Sequence, residues 1–193
     1  MKIKKVSTVL AFVSTTVLLA GCVVTSVSPF YTGKDVVFEP AVVGDWVSGT
    51  KEPADEVWKF EKGEGKAYRF TLIGKDKATV MEAHAFKLQG QLLLDIASVE
   101  RDYHVIPPHL LLKVVQTKPT LKLSALNHDW VMKLLEKEPA AIAHQFVQNG
   151  EQPNDLRAVL TADSETLQKF IAKYLETKEA WDDGSEFTRQ SGS

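Results

Sequence analysis

One cysteine, Cys22, occurs in the 193 residues, so no disulfide can form within the chain and its stability must come from packing. No acidic residue precedes Asp35. The five histidines (His84, His104, His109, His128 and His144) contain no i, i+4 pair of the kind that builds a helical zinc site. A Gly-x-Ser-x-Gly nucleophile elbow is missing, and so is a glycine-rich loop that would cradle phosphate. These gaps exclude the most legible hydrolase, metalloenzyme and nucleotide-binding signatures. The first 21 residues hold three of the 23 basic side chains and none of the 25 acidic ones, leaving a net charge of −5 on the remainder. That mild acidic balance favours solubility and argues against a nucleic-acid partner.

What is present begins at the N-terminus. Met1-Lys2-Ile3-Lys4-Lys5 is basic, residues 6–20 are mainly apolar, and Leu19-Ala20-Gly21-Cys22 follows. A basic segment, a short apolar segment and small residues before a cut are the three parts of a secretory signal. The apolar stretch is short for a spanning helix, which needs about 20 residues, and it is diluted by Ser and Thr. Leu19-Ala20-Gly21-Cys22 resembles the lipobox of bacterial lipoproteins. The resemblance implies cleavage between Gly21 and Cys22 and acylation of the Cys22 thiol, with a membrane as partner through that anchor. Several acyl chains hold far better than one, since each buried methylene contributes about 0.8 kcal/mol. Alternatives are an ordinary signal peptide cut near Gly21 or an uncleaved helix, neither of which explains a lone cysteine in an exported chain. Val23 stands where an aspartate would favour inner-membrane retention, so the outer membrane of the envelope is the expected location.

Beyond the signal, residues 22–35 read as an acylated cysteine and flexible tether, residues 36–181 as one globular domain, and residues 182–193 as a polar disordered tail. The first half of the domain is strand-like. Alternating runs at 41–47, 57–61, 67–73, 78–88, 91–97, 109–116 and 120–125 are separated by turn signals at Gly63, Gly65, Gly74 and Gly90. The second half turns helical: Asn127 caps a helix to about 137, Pro139 starts a short helix carrying Ile142 and Phe146, and Thr161 or Asp163 starts a longer one. A last strand is expected at 157–160. The predicted class is α+β: an antiparallel meander sheet, or a partial barrel, with two to three helices packed on it.

Gly44-Asp45-Trp46, at the entry to the first run, resembles the Gly-x-Trp signature of lipocalin-like barrels. That resemblance implies a barrel over roughly residues 41–125. Trp46, Trp58, Phe60, Tyr68, Phe70 and Phe86 then either line a cavity for a small apolar ligand or fill a closed core. His104 and His109, flanking Pro107-Pro108, are the only histidines near one another in sequence, short of the three or four ligands a metal site needs. No catalytic residue, metal ligand or cofactor is assigned. The expected function is that of a membrane-anchored envelope lipoprotein without enzymatic activity, an interaction or accessory factor with an envelope protein partner. The alternative is a carrier of a lipid or other small apolar ligand. An enzyme would need His104, His109 and carboxylates to converge in the fold.

Overall fold

The computed structural model describes residues 23–49, 56–99, 106–148 and 156–190. Its centre is a barrel of eight antiparallel strands: β3 (Gly44–Ser48), β4 (Val57–Lys62), β5 (Ala67–Ile73), β6 (Ala78–Leu88), β7 (Gln91–Ser98), β8 (His109–Gln116), β9 (Leu121–Ala125) and β12 (Ser185–Arg189). Each pairs with the next, β12 pairs with both β9 and β3, and β8 pairs with β9, so the sheet closes on itself. The expected partial barrel is therefore a closed one. Closure satisfies strand edges that an open meander would leave exposed.

Four further strands lie outside this ring: β1 (Thr25–Ser26), β2 (Val36–Val37), β10 (His144–Gln148) and β11 (Leu156–Leu160). β8 shares one edge between two neighbours, pairing with β1 at His109 and Leu110 and with β9 from Leu112 onward. From that fork β1 continues to β11 and β11 to β10, forming a flap of sheet off the barrel. The two α-helices are α1 (His128–Lys137), capped by Asn127, and α2 (Ser164–Tyr174), capped by Asp163. Each cap side chain accepts from the backbone N–H three residues on, which satisfies an otherwise orphaned donor.

Period-two alternation divides the core into two layers. Inward residues of the barrel (Trp58, Phe60, Tyr68, Phe70, Leu94, Leu112, Leu121 and Leu123 among them) form one cluster with Trp46 and Phe187. Outward residues Phe86, Leu93 and Leu111 form the floor of a second cluster, roofed by Phe30, Val131, Leu135, Leu167, Phe170 and Ile171. Among the described residues no helix is long and apolar enough to cross a membrane.

Four expectations need correction. The segment after Pro139 is not helical: a few residues of turn lead into β10, where Phe146 pairs with Ala158. It pairs with β11 instead, which leaves two α-helices among the described residues where two to three were expected. The segment at 22–35 is no tether from Val23 onward, since Val23 bridges Asn127 and Val24 and Phe30 are fully buried. The polar tail is ordered through residue 190, because Phe187 buries inside the barrel while its neighbours Glu186 and Thr188 face solvent. Finally, the run at 41–47 begins with a 3-10 turn, Pro40–Val42, and the strand proper starts at Gly44. Residues 1–22, the expected signal and Cys22 among them, lie outside the described residues, as do 191–193.

Candidate functional site

The barrel interior is the first place a ligand would sit. Trp58 packs against Phe70 at 5.1 Å and Phe187 at 4.8 Å between ring centroids, and Phe60 stacks on Phe70 at 4.5 Å with planes 13° apart. Phe60 meets Tyr68 edge-on. Trp46, Phe60 and Tyr68 retain at most 1% of their surface, so no space beside them admits a water molecule. An eight-stranded barrel is just wide enough to be filled by its own side chains, and here aromatic rings occupy that width. Their polar atoms point elsewhere than into a shared space. Trp46 Nε1 donates to Val42 O at 2.8 Å, Trp58 Nε1 donates to Glu56, and the Tyr68 hydroxyl accepts from Glu39 N–H at 2.6 Å and donates to Glu39 O. Burial first of all pushes the Tyr68 phenol above its usual range.

Five of the six aromatics singled out as cavity candidates, Trp46, Trp58, Phe60, Tyr68 and Phe70, thus meet inside the barrel. Phe86 does not join them. It shares the outward face of β6 with Glu82 and His84 and belongs to the layer under the helices. Gly44 and Trp46 of the Gly-x-Trp segment have a visible local role. The Arg189 guanidinium lies 4.4 Å from the Trp46 ring and donates to Val43 O and Ala41 O. Gly44 has φ +145, and a Cβ there would stand 2.1 Å from Arg189 Nη1. Glycine lets the arginine of the closing strand seal that end of the barrel.

The second place is the outward face of β6, β7 and β8, where His109 of the candidate pair meets a carboxylate, Asp95, that the sequence did not single out. Asp95 is only 1% exposed. Its Oδ1 lies 2.7 Å from His109 Nδ1, and its Oδ2 accepts from Phe30 N–H at 2.8 Å. A carboxylate can only accept, so Nδ1 of His109 carries the proton of that bond. His84 faces Asp95 across the β6–β7 ladder, with its ring stacked on Tyr31 at 4.6 Å and Glu82 at 3.8 Å. Burial, and then the charges of Asp95 and Glu82, push the Tyr31 phenol up to about 12. A buried carboxylate orienting an imidazole is half of a general-base arrangement. Ser26, opposite His109 in the β1–β8 pairing, gives its hydroxyl to Ser28 O and is not poised toward the imidazole. The geometry instead fits a clasp holding the segment around Phe30 against the barrel. Its sequence signal was a charge embedded in Leu92-Leu93-Leu94-Asp95-Ile96, which demands a buried partner.

The remaining histidines are spread apart. His128 Nε2 contacts Leu156 O at 3.2 Å, and His144 Nδ1 contacts Ile142 O at 2.8 Å. His104 lies outside the described residues, so its pairing with His109 is not described. Among the described residues no three His, Cys, Asp or Glu gather in a metal-binding group. A surface cleft of about 330 Å³ runs between residues 32–35, Leu88 and α2. The Thr32 hydroxyl, followed by the Gln168 amide, holds the Asp35 carboxyl there below its ordinary range. Compared with protein-family models, curated proteins and solved structures, the chain matches none.

The third place is the outer edge of the flap. Thr161 N–H donates to Ala143 O, so 143/161, 145/159 and 147/157 are the hydrogen-bonded pairs of the β10–β11 ladder. His144, Phe146 and Gln148 must then turn their N–H and C=O groups away from β11. Among the described residues no strand pairs with that side of β10. Phe146 is 38% exposed beside it.

Proposed function

We propose that the protein is a lipid-anchored lipoprotein of the bacterial envelope, acylated at Cys22, whose barrel serves as an interaction module and not as a carrier. One observation carries this reading beside the lipobox: Val23, the residue after Cys22, is bridged to Asn127 and so is already held by the barrel's surroundings. A cut between Gly21 and Cys22 leaves every described pairing intact and sets the body directly against the leaflet. Val23, in place of aspartate, favours the outer membrane. The barrel is lipocalin-like in its eight antiparallel strands and in Gly44-Asp45-Trp46 at its entry. Its interior is taken up by Trp58, Phe60, Phe70 and Phe187, which favours protein contact over ligand carriage. The open edge of β10 supports the same preference.

Mass spectrometry of the N-terminal peptide from native cells tests the anchor, with Cys22→Ser as the control. The expected peptide begins at an acylated Cys22, and the variant leaves the membrane fraction. A free thiol on a protein that washes off without detergent would refute the placement. An apolar molecule co-purifying in stoichiometric amount would refute the preference for interaction over carriage.

A further inference from the structure

We propose that β10 pairs with β10 of a second copy across a two-fold axis at Phe146, joining two flaps into one continuous antiparallel sheet. This is independent of lipidation and gives the interaction module a definite partner.

Among the described residues β10 is where the strand order ends, a five-residue strand with β11 on one side and none on the other. Unpaired edges are normally blunted by lysine, proline or a bulge. His144-Gln145-Phe146-Val147-Gln148 has none of these, and its pairing to β11 is regular over all five residues. The outward-turned residues are His144, Phe146 and Gln148, a set symmetric about its middle member. Placing the axis at Phe146 makes Phe146 face its own copy and His144 face Gln148, and every outward N–H meets a C=O. Isologous contact requires such a self-complementary arrangement. No carboxylate or ammonium lies on the strand, so nothing of like charge meets across the axis. On the same face of the sheet, Gln145 of one copy opposes Val147 of the other. Arg157, the β11 neighbour of Val147, then lies in the row with that Gln145. Its Nε is buried without an acceptor, the only side-chain donor so placed among the described residues. Since that Nε has no accessible surface in the single chain, a carboxamide oxygen two strands away meets it only when the Arg157 side chain turns outward along the row.

Two measurements on the full chain test this. In sedimentation equilibrium the wild type is expected to dimerise with rising concentration. Phe146→Lys and Phe146→Glu, each placing like charges directly opposite, should weaken the dimer about tenfold or more, and an equimolar mixture of the two should restore it. In the second, on a Cys22→Ser background, Phe146→Cys should oxidise to a cross-linked dimer. Gln145→Cys alone should not, while Gln145→Cys mixed with Val147→Cys should. The hydrogen-bonded pair brings Cα atoms to about 5.5 Å, within disulfide reach. Unchanged tryptophan fluorescence and melting temperature in every variant would show that the barrel is intact. A wild type that stays monomeric, a Phe146→Lys dimer as tight as wild type, or cross-linking at 145 alone would each overturn the proposal. So would a monomer whose β10 instead takes up an extended peptide.

Discussion

Removing the Asp95 carboxylate strips an acceptor from two donors at once. Phe30 is fully buried, so its N–H has no alternative partner, and leaving such a donor unmet costs about 1–3 kcal/mol. The His109 side chain is 16% exposed and can recruit water, so its loss is smaller, about 1 kcal/mol. Relief of the desolvated carboxylate offsets part of the sum. Asp95→Ala is therefore expected to cost about 2–3 kcal/mol. Asp95→Asn behaves differently. Its amide oxygen accepts from Phe30 N–H, and its NH2 donates to His109 Nδ1 once the imidazole takes its other tautomer. Both contacts survive without the charge, at a cost of about 1 kcal/mol. Urea unfolding followed by tryptophan fluorescence measures both, provided the denaturant slope stays constant. Hydrogen exchange at the Phe30 amide gives a local readout: protected in wild type and Asp95→Asn, fast in Asp95→Ala. If alanine costs no more than asparagine, or the Phe30 amide stays protected in both, the clasp is not what holds this segment.

Three further outcomes are expected. Phe187→Ala removes a ring packed on Trp58 and should cost about 3–5 kcal/mol, whereas ending the chain after Asp183 should abolish cooperative unfolding because β3 and β9 lose their shared partner. A truncated chain that melts cooperatively at the wild-type temperature would contradict barrel closure. The Tyr31 phenol, raised from its ordinary 10.0 to about 12, favours the neutral form in the fold, so its contribution is whole below pH 10 and is lost as pH rises from 10 toward 12; an absorbance titration should show late tyrosinate ionisation from Tyr31 and Tyr68, and Tyr31→Phe should remove one tyrosine's share of it.

The strands β4 and β5 were legible because apolar and polar residues alternate along them, and the turns leading on to β6 and β7 each contain glycine. Trp58 and Phe60 against Lys59 and Glu61, then Phe70 and Leu72 against Arg69 and Thr71, leave only one register that buries the rings. The Asn127 and Asp163 caps marked both helices for the same reason: a side-chain oxygen before an apolar stripe has one favourable use. Closure was not legible. It depends on Phe187, a single apolar residue among polar neighbours, and a lone residue sets no period. Nor was the ordering of Val23, Val24 and Phe30, where Ser and Thr content suggested solvent. Those residues are held by Asp95 and by the outward face of a barrel whose existence the local sequence does not announce. Phe86 parts from the other five aromatics because the inward residues beside it, Ala83 and Ala85, are small, while its own face mixes Glu82 and His84 with Leu88, so alternation there carries little contrast.

The strand that closes the ring is the last of those described, and α1, β10, β11 and α2 intervene between it and β9. Phe187 lies opposite Ser48, so this contact spans most of the polypeptide. Contacts of such long sequence separation raise the entropic cost of reaching the native topology and slow its formation. Until the final strand arrives, the ring lacks a stave and β3 has an open side. A chain that emerges N-terminus first therefore completes its barrel only once Phe187 has appeared, long after β3 is available to pair.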